Sequence, residues 1–447
     1  MEGLEISVVK LSEVLEDVDL RLESEYYNSE HIVFNSVQGC DIESFSQYGT
    51  SEDLNEEGKG FPILRLNEFD SFFISKPSKY CDLISKETFE LLKLKKNDVL
   101  ICRTNGNPKY VGKAAIVPKN YEYAFASYVF RLRPKTDIIN SATLVSFLNS
   151  KYGRIEIEKY SMVGNQANFS PAKFRQIAIP ILSKELNNKI EEIVYKSFEL
   201  LEESKSLYSQ AEDLLLGELG LKDWRPKNTL HTTKKFSDFA QSGRLDAEFY
   251  QPKYDEIEKV IKSYKGGYDI VSNLFNQNLD VCDYKKTEYN YVEIGDVNVG
   301  DGSVSFNKVE TSELPDNAKR VLNKNDILIS KVRPYRGAVA IIDFEQEDLI
   351  GSGAFTVLQE KSSYKKETLQ ILFRTAVYKD WLLKWNVGSS YPVIKDEDIL
   401  NLPIPILPEQ IQTKIASLIQ QSFECKAQSK QLLEDAKRMV EEEIEKN

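Results

Sequence analysis

The chain has 447 residues, a net charge of −12 and 41% hydrophobic residues, so it is too long for one ordinary domain and long enough for several sizeable cores. No apolar run is long enough to cross a bilayer, and residues 1–10 lack the charged and apolar regions of a signal peptide. Five scattered cysteines (Cys40, Cys81, Cys102, Cys282, Cys425) have no paired spacing, which suits a reducing cytoplasm and argues against a structural zinc or a disulfide framework.

In chain order, the first feature is Leu20-Arg21-Leu22-Glu23-Ser24-Glu25-Tyr26-Tyr27, because it returns as Gly243-Arg244-Leu245-Asp246-Ala247-Glu248-Phe249-Tyr250 at an offset of 223. Its alternation of charge and bulk fits a strand or an extended arm leading into a helix, with the Arg either paired to an acidic neighbour or making a contact. Strand-like runs follow. Residues 63–68 match 291–296. Leu94-Lys95-Lys96-Asn97-Asp98-Val99-Leu100-Ile101 matches Leu322-Asn323-Lys324-Asn325-Asp326-Ile327-Leu328-Ile329, a polar turn feeding an apolar strand in both copies. Residues 112–117 pair with 337–342, and 127–132 with 353–358, as further strands. The pattern predicts one helix over 142–159 and its mirror over 368–385.

Residues 186–220 are the longest repeated element. Residues 189–198 set on 414–423 without a gap at an offset of 225, and the same offset carries Ile179-Pro180-Ile181-Leu182 onto Ile404-Pro405-Ile406-Leu407. Leu186, Ile190, Ile193, Ser197, Leu200, Ser204, Leu207, Ala211 and Leu214 step by alternating fours and threes. So do Ile411, Ile415, Leu418, Ser422, Cys425, Ser429, Leu432, Ala436 and Met439. That spacing predicts helices that bury a narrow seam against a partner, each the other's simplest partner, and each about 50 Å long. Gly217 and Gly220 are stop signals for the first. Residues 183–222 hold 9 acidic and 5 basic side chains and 408–447 hold 8 and 6, so the helices carry half of the acidic excess on under a fifth of the chain. The chain therefore divides into 1–182, a β-rich domain; 183–222, a helix; 223–407, a linker and a second β-rich domain; and 408–447, a second helix.

Two kinds of loop are candidates for binding. Arg103, Asn105, Asn107, Lys109, Tyr110 and Lys113 follow the repeated strand in the first half, and Lys331, Arg333, Tyr335 and Arg336 follow it in the second. Arg and Lys can pair with guanine edges or reach phosphates, and Asn can read adenine; a surface hairpin with solvated charge fits the same residues. Asn165 and Gln166, with Ser389, Ser390 and Tyr391 as counterparts, sit in short polar links that suit either base-edge reading or ordinary turn chemistry. Catalytic signals are missing. Only His31 and His231 are present, no phosphate-cradling loop or dinucleotide fingerprint is found, and Glu256-Ile257-Glu258-Lys259 reads as a solvated helix face.

The duplicated Lys-Asn-Asp strand, the late Ile-Pro-Ile-Leu and Pro408-Glu409-Gln410 leading into the second helix together resemble the specificity subunit of Type I restriction-modification systems, over essentially the whole chain. The first copy departs at Ser183-Lys184-Glu185. The resemblance implies an α+β protein of two tandem target recognition domains, each followed by a long helix. The helices would pair as an antiparallel coiled coil with approximate two-fold symmetry. It implies double-stranded DNA as ligand, read as a bipartite site whose spacer the helices set. Two methyltransferase subunits and restriction subunits would be partners. S-adenosylmethionine, ATP and Mg would sit on those partners and no cofactor in this chain, which is read as cytoplasmic and non-enzymatic. A Type IIB-like recognition subunit, or a coiled-coil scaffold that never touches DNA, would fit the same pattern.

Overall fold

The computed structural model describes residues 8–16, 34–70, 72–161, 167–227, 229, 231–388 and 391–446. They form two compact units: residues 1–201 with 426–447, and residues 202–425. The boundaries pass through both long helices, so each unit owns part of each.

In the first unit a four-stranded antiparallel sheet runs in the order Glu43–Tyr48, Val129–Pro134, Val99–Cys102, Ala114–Ile116. Val99–Cys102 is buried at every residue. That explains its unbroken apolar run, since a strand covered on both faces has no polar side. Successive side chains point to opposite faces. Val99 and Ile101 enter a core with Leu144, Val145 and Leu148, while Leu100 enters another with Ile63, Leu64 and Phe125. Each such burial is worth roughly 2 kcal/mol. The second sheet orders Ala124–Phe125, Phe61–Leu64 and Lys79–Cys81, its first two strands parallel.

The second unit repeats the topology. Its central sheet runs Phe275–Gln277, Phe355–Glu360, Ile327–Ser330, Val339–Ile341. Ile327 and Ile329 face one core and Leu328 another. Glu288–Val292 pairs in parallel with Leu349–Ser352. Here that sheet gains a fourth strand, with Asn307–Glu310 at one edge and Ala318–Val321 at the other.

The repeated polar turn has a structural cause. Asn97 and Asn325 sit at φ 70° and 74°, a left-handed conformation that Asn tolerates better than most residues. Each Asp then closes the turn by accepting a backbone N–H, Lys95 to Asp98 and Asn323 to Asp326, both at 2.9 Å.

The helix expected over 142–159 is broken into Ser141–Leu148 and Lys151–Tyr160, and its mirror into Lys366–Arg374 and Ala376–Trp381 with a 3-10 turn Leu382–Trp385. Local N-caps restart the chain: Ser150 accepts from the Gly153 N–H at 3.2 Å, and Thr375 from Tyr378 at 3.4 Å. Gly153 is required there, because a Cβ would lie 1.9 Å from the Phe147 carbonyl oxygen.

The Ile-Pro-Ile-Leu segments begin in strands Ala178–Pro180 and Pro403–Pro405, each antiparallel to the unit's opening strand, Ser36–Gln38 or Tyr268–Ile270. Each leads into a long helix, Lys184–Leu219 or Glu409–Lys446. Buried amides fasten the starts of both helices alike: Asn187 donates to the Leu182 carbonyl at 3.2 Å and Gln412 to that of Leu407 at 2.8 Å. Where the first copy lacks Pro-Glu-Gln, Ser183 supplies the cap, accepting from Leu186 N–H at 3.1 Å. Gly220, at φ 68°, ends the first helix, while Gly217 lies inside it.

The helices pack together through serines. In the first unit Ser197 Oγ meets Ser429 Oγ at 2.9 Å; in the second Ser204 Oγ meets Ser422 Oγ at 3.0 Å. Seven residues forward on one helix match seven back on the other, so the pair is antiparallel. The buried line differs by one residue from the expected seam. It runs Asn187, Ile190, Val194, Ser197, Leu200, Ser204, Ala211 and Leu215 on one helix, and Gln412, Ile415, Ile419, Ser422, Ser429, Leu433, Ala436 and Val440 on the other. Leu186, Ile193, Leu207 and Leu214 are only half-buried, as are Ile411, Leu418, Cys425, Leu432 and Met439. The helices also cover the cores of the β-rich domains, so the apolar face is wider than a two-helix seam and its centre shifts toward the domain.

The repeat at 20–27 lies outside the described residues. At its second occurrence Arg244 forms a paired ion contact with Asp246, at 2.6 and 2.7 Å.

Candidate nucleic-acid interface

In the first unit the basic loop leaves the buried strand at Cys102. Burial pushes the Cys102 thiol up to about 12, so it stays a neutral packing group. Thr104–Asn105 pairs antiparallel with Ala167–Asn168, which brings the basic loop beside the end of the amide link. Asn165 and Gln166 themselves lie outside the described residues. The Asn105 and Asn107 side-chain oxygens accept the backbone N–H groups of Asn107 and Lys109, at 2.8 and 3.1 Å. Both asparagines therefore shape the turn, and their NH2 groups are left for another partner. Arg154 reaches from Lys151–Tyr160 to the Val111 carbonyl at 2.8 Å and braces the loop from beneath.

Arg103 is half-buried. Its guanidinium lies 4.9 Å from the centre of the Tyr48 ring, and one Nη donates to the Ser127 carbonyl at 3.3 Å. Lys109 and Tyr110 are exposed, and Lys113 sits 5.7 Å from the Tyr110 ring. Tyr48, the ring beside the Arg103 guanidinium, is 46% exposed, and Tyr128, whose carbonyl accepts the Arg103 backbone N–H, is 62% exposed. Neither was legible in the sequence: Tyr48 stands 55 residues from Arg103, and only the sheet order brings them together.

The second unit builds the same corner with different residues. Lys331 occupies the place of Arg103 but is ion-paired to Asp396 at 3.0 Å. Two residues on, Arg333 takes φ 48°, donates its N–H to the Pro392 carbonyl at 2.7 Å and lays its guanidinium 4.8 Å from the Tyr391 ring. A bridge between Val332 and Val393 joins the basic loop to the polar link. Tyr335, Arg336 and Tyr391 are exposed; Ser389 and Ser390 lie outside the described residues. Among the described residues, Arg103, Lys109, Lys113, Arg333 and Arg336 have no carboxylate within ion-pair distance, and no cluster of His, Cys, Asp and Glu could hold a metal. Among the described residues no helix is long and apolar enough to cross a membrane.

Residues 269–438 match the family model described as the Type I restriction modification DNA specificity domain. The chain thus carries such a domain over most of its second unit. Solved structures similar to it include a Type I restriction-modification S subunit from M. genitalium (12% identity, 93% of this chain and 96% of that one, TM-score 0.45). A second comes from work on complex assembly and conformational transition of the type I R-M system (13%, 92% and 97%, 0.31). A third is the HsdS subunit from Thermoanaerobacter tengcongensis (12%, 92% and 96%, 0.30). No curated protein matches the sequence.

Proposed function

We propose that the chain is the sequence-specific DNA-binding specificity subunit of a Type I restriction-modification complex. Each β-rich domain reads one part of a bipartite duplex target, and the antiparallel helices set the spacer between the parts. The helices also dock two methyltransferase subunits, which carry S-adenosylmethionine and the chemistry, while restriction subunits with ATP and Mg complete the complex. The chain itself is non-catalytic.

The observation that carries this reading is the duplicated corner. Both units fold alike, and both put a loop with unpaired cations and exposed tyrosines directly after the buried Lys-Asn-Asp strand. Equivalent corners with unlike side chains suit two half-sites that share phosphate geometry but differ in bases. The acidic balance fits helices that meet protein rather than DNA, and it leaves part of the grip on the polyanion to partners. Replacing residues 31–170 with those of a relative tests it. The methylated sequence should change in one half-site only, with spacer and partners kept; an unchanged sequence contradicts the proposal.

A further inference from the structure

The two units reach one arrangement by different routes. Arg103 stacks on Tyr48 from the neighbouring sheet strands, and Arg333 stacks on Tyr391 from the polar link. The positions are not equivalent. The residue in the place of Arg103 is Lys331, which Asp396 already holds. The second unit recovers a stacked guanidinium only by turning Arg333 into the left-handed region at φ 48°, a conformation that costs a non-glycine residue energy and tends to persist where function needs it. Both rings are about half in water, 46% for Tyr48 and 55% for Tyr391.

We infer that Arg103 and Arg333 each read one guanine, one in either half-site, and that Tyr48 and Tyr391 are positioning residues that hold the guanidinium planes. The inference rests on the DNA-recognition reading above. A guanidinium held over a ring, 4.9 and 4.8 Å from the two ring centres, has lost part of its rotation and can present its donor edge to the O6 and N7 acceptors of guanine in the major groove. Phosphate capture needs no fixed plane, and the exposed Lys109 and Arg336, with the half-buried Lys113, serve it.

The test uses the chain assembled with its methyltransferase subunits. Methylation mapping first gives the target; then each guanine in a target duplex is replaced singly by 7-deazaguanine, which lacks N7. One replacement in each half should weaken binding by about tenfold. Arg103→Ala should abolish the sensitivity in one half and Arg333→Ala that in the other, each also accepting other bases at that single position. Tyr48→Ala and Tyr391→Ala should weaken cognate binding by about threefold and blunt the same sensitivity, and Tyr48→Phe should restore it, because the ring face and not the hydroxyl acts. A target with a guanine-free half overturns the inference, as does Arg103→Ala weakening cognate and unrelated duplexes alike. If the unaltered chain directs no bipartite methylation, the recognition reading itself fails, a different outcome.

Discussion

Asp98 and Asp326 occupy the same turn in the two units and are kept there by opposite means. Asp98 faces two arginines, with Arg131 Nη1 at 3.2 Å and Arg133 Nε at 2.5 Å. Asp326 faces two neutral amides, Asn278 at 3.1 Å and Gln359 at 2.9 Å. Both carboxylates are buried. What is common to them is the closing bond to the turn's own backbone; how the charge is compensated is free to vary. A duplicated fold thus holds its turn geometry while its side-chain electrostatics drift.

The largest effect should come from breaking the charged version. Asp98→Ala leaves Arg131, only 2% exposed, buried without its anion, and should cost about 3–5 kcal/mol in the unfolding of the first unit, read by urea denaturation. A loss below about 1 kcal/mol would mean that the Lys93 and Leu91 carbonyls and Gln47, which also receive the Arg131 guanidinium, suffice to satisfy it. Next, Gly153→Ala should cost about 2–4 kcal/mol, since its Cβ must displace backbone at the break between the paired helices.

A smaller effect sharpens the comparison from the other side. Asp326→Asn should change stability by no more than about 1.5 kcal/mol, because neutral partners can rearrange around a neutral amide. Its pH dependence is more telling. Burial raises the Asp326 pKa, so the folded state binds the proton more readily than the unfolded chain. The stabilisation this proton supplies is full below the unfolded value of about 4 and is lost as pH rises through the higher folded value. Wild type should therefore gain on Asp326→Asn as pH falls from 7 to 4 in parallel denaturation curves; a constant difference would contradict the assignment. The smallest effect is at the surface, where Arg438→Ala should cost about 0.5 kcal/mol or less, because Arg438 itself is 63% exposed and its partners Asp435 and Glu442 are neighbours on the same helix.

The turns were legible because Asn and Asp act locally, within four residues. The long helices were legible because heptad spacing survives in both copies. The centre of the buried face was not, since period alone does not say that each helix serves a partner and a domain at once. Nor was the break at Asn149-Ser150, where a cap competes with continued periodicity. The basic loops were visible as composition. The rings beside their arginines were not, because Tyr48 approaches Arg103 through sheet order and Tyr391 approaches Arg333 through a bridge beyond the buried core.

The central claim is a twinned reader on its own pair of helices. Mapping methylated bases genome-wide in cells that express this chain with its methyltransferase subunits tests it most directly. The account predicts two short specified elements separated by an unspecified spacer of one fixed length, absent when this chain is deleted. One contiguous site, a spacer of variable length, or a pattern indifferent to the deletion would contradict it.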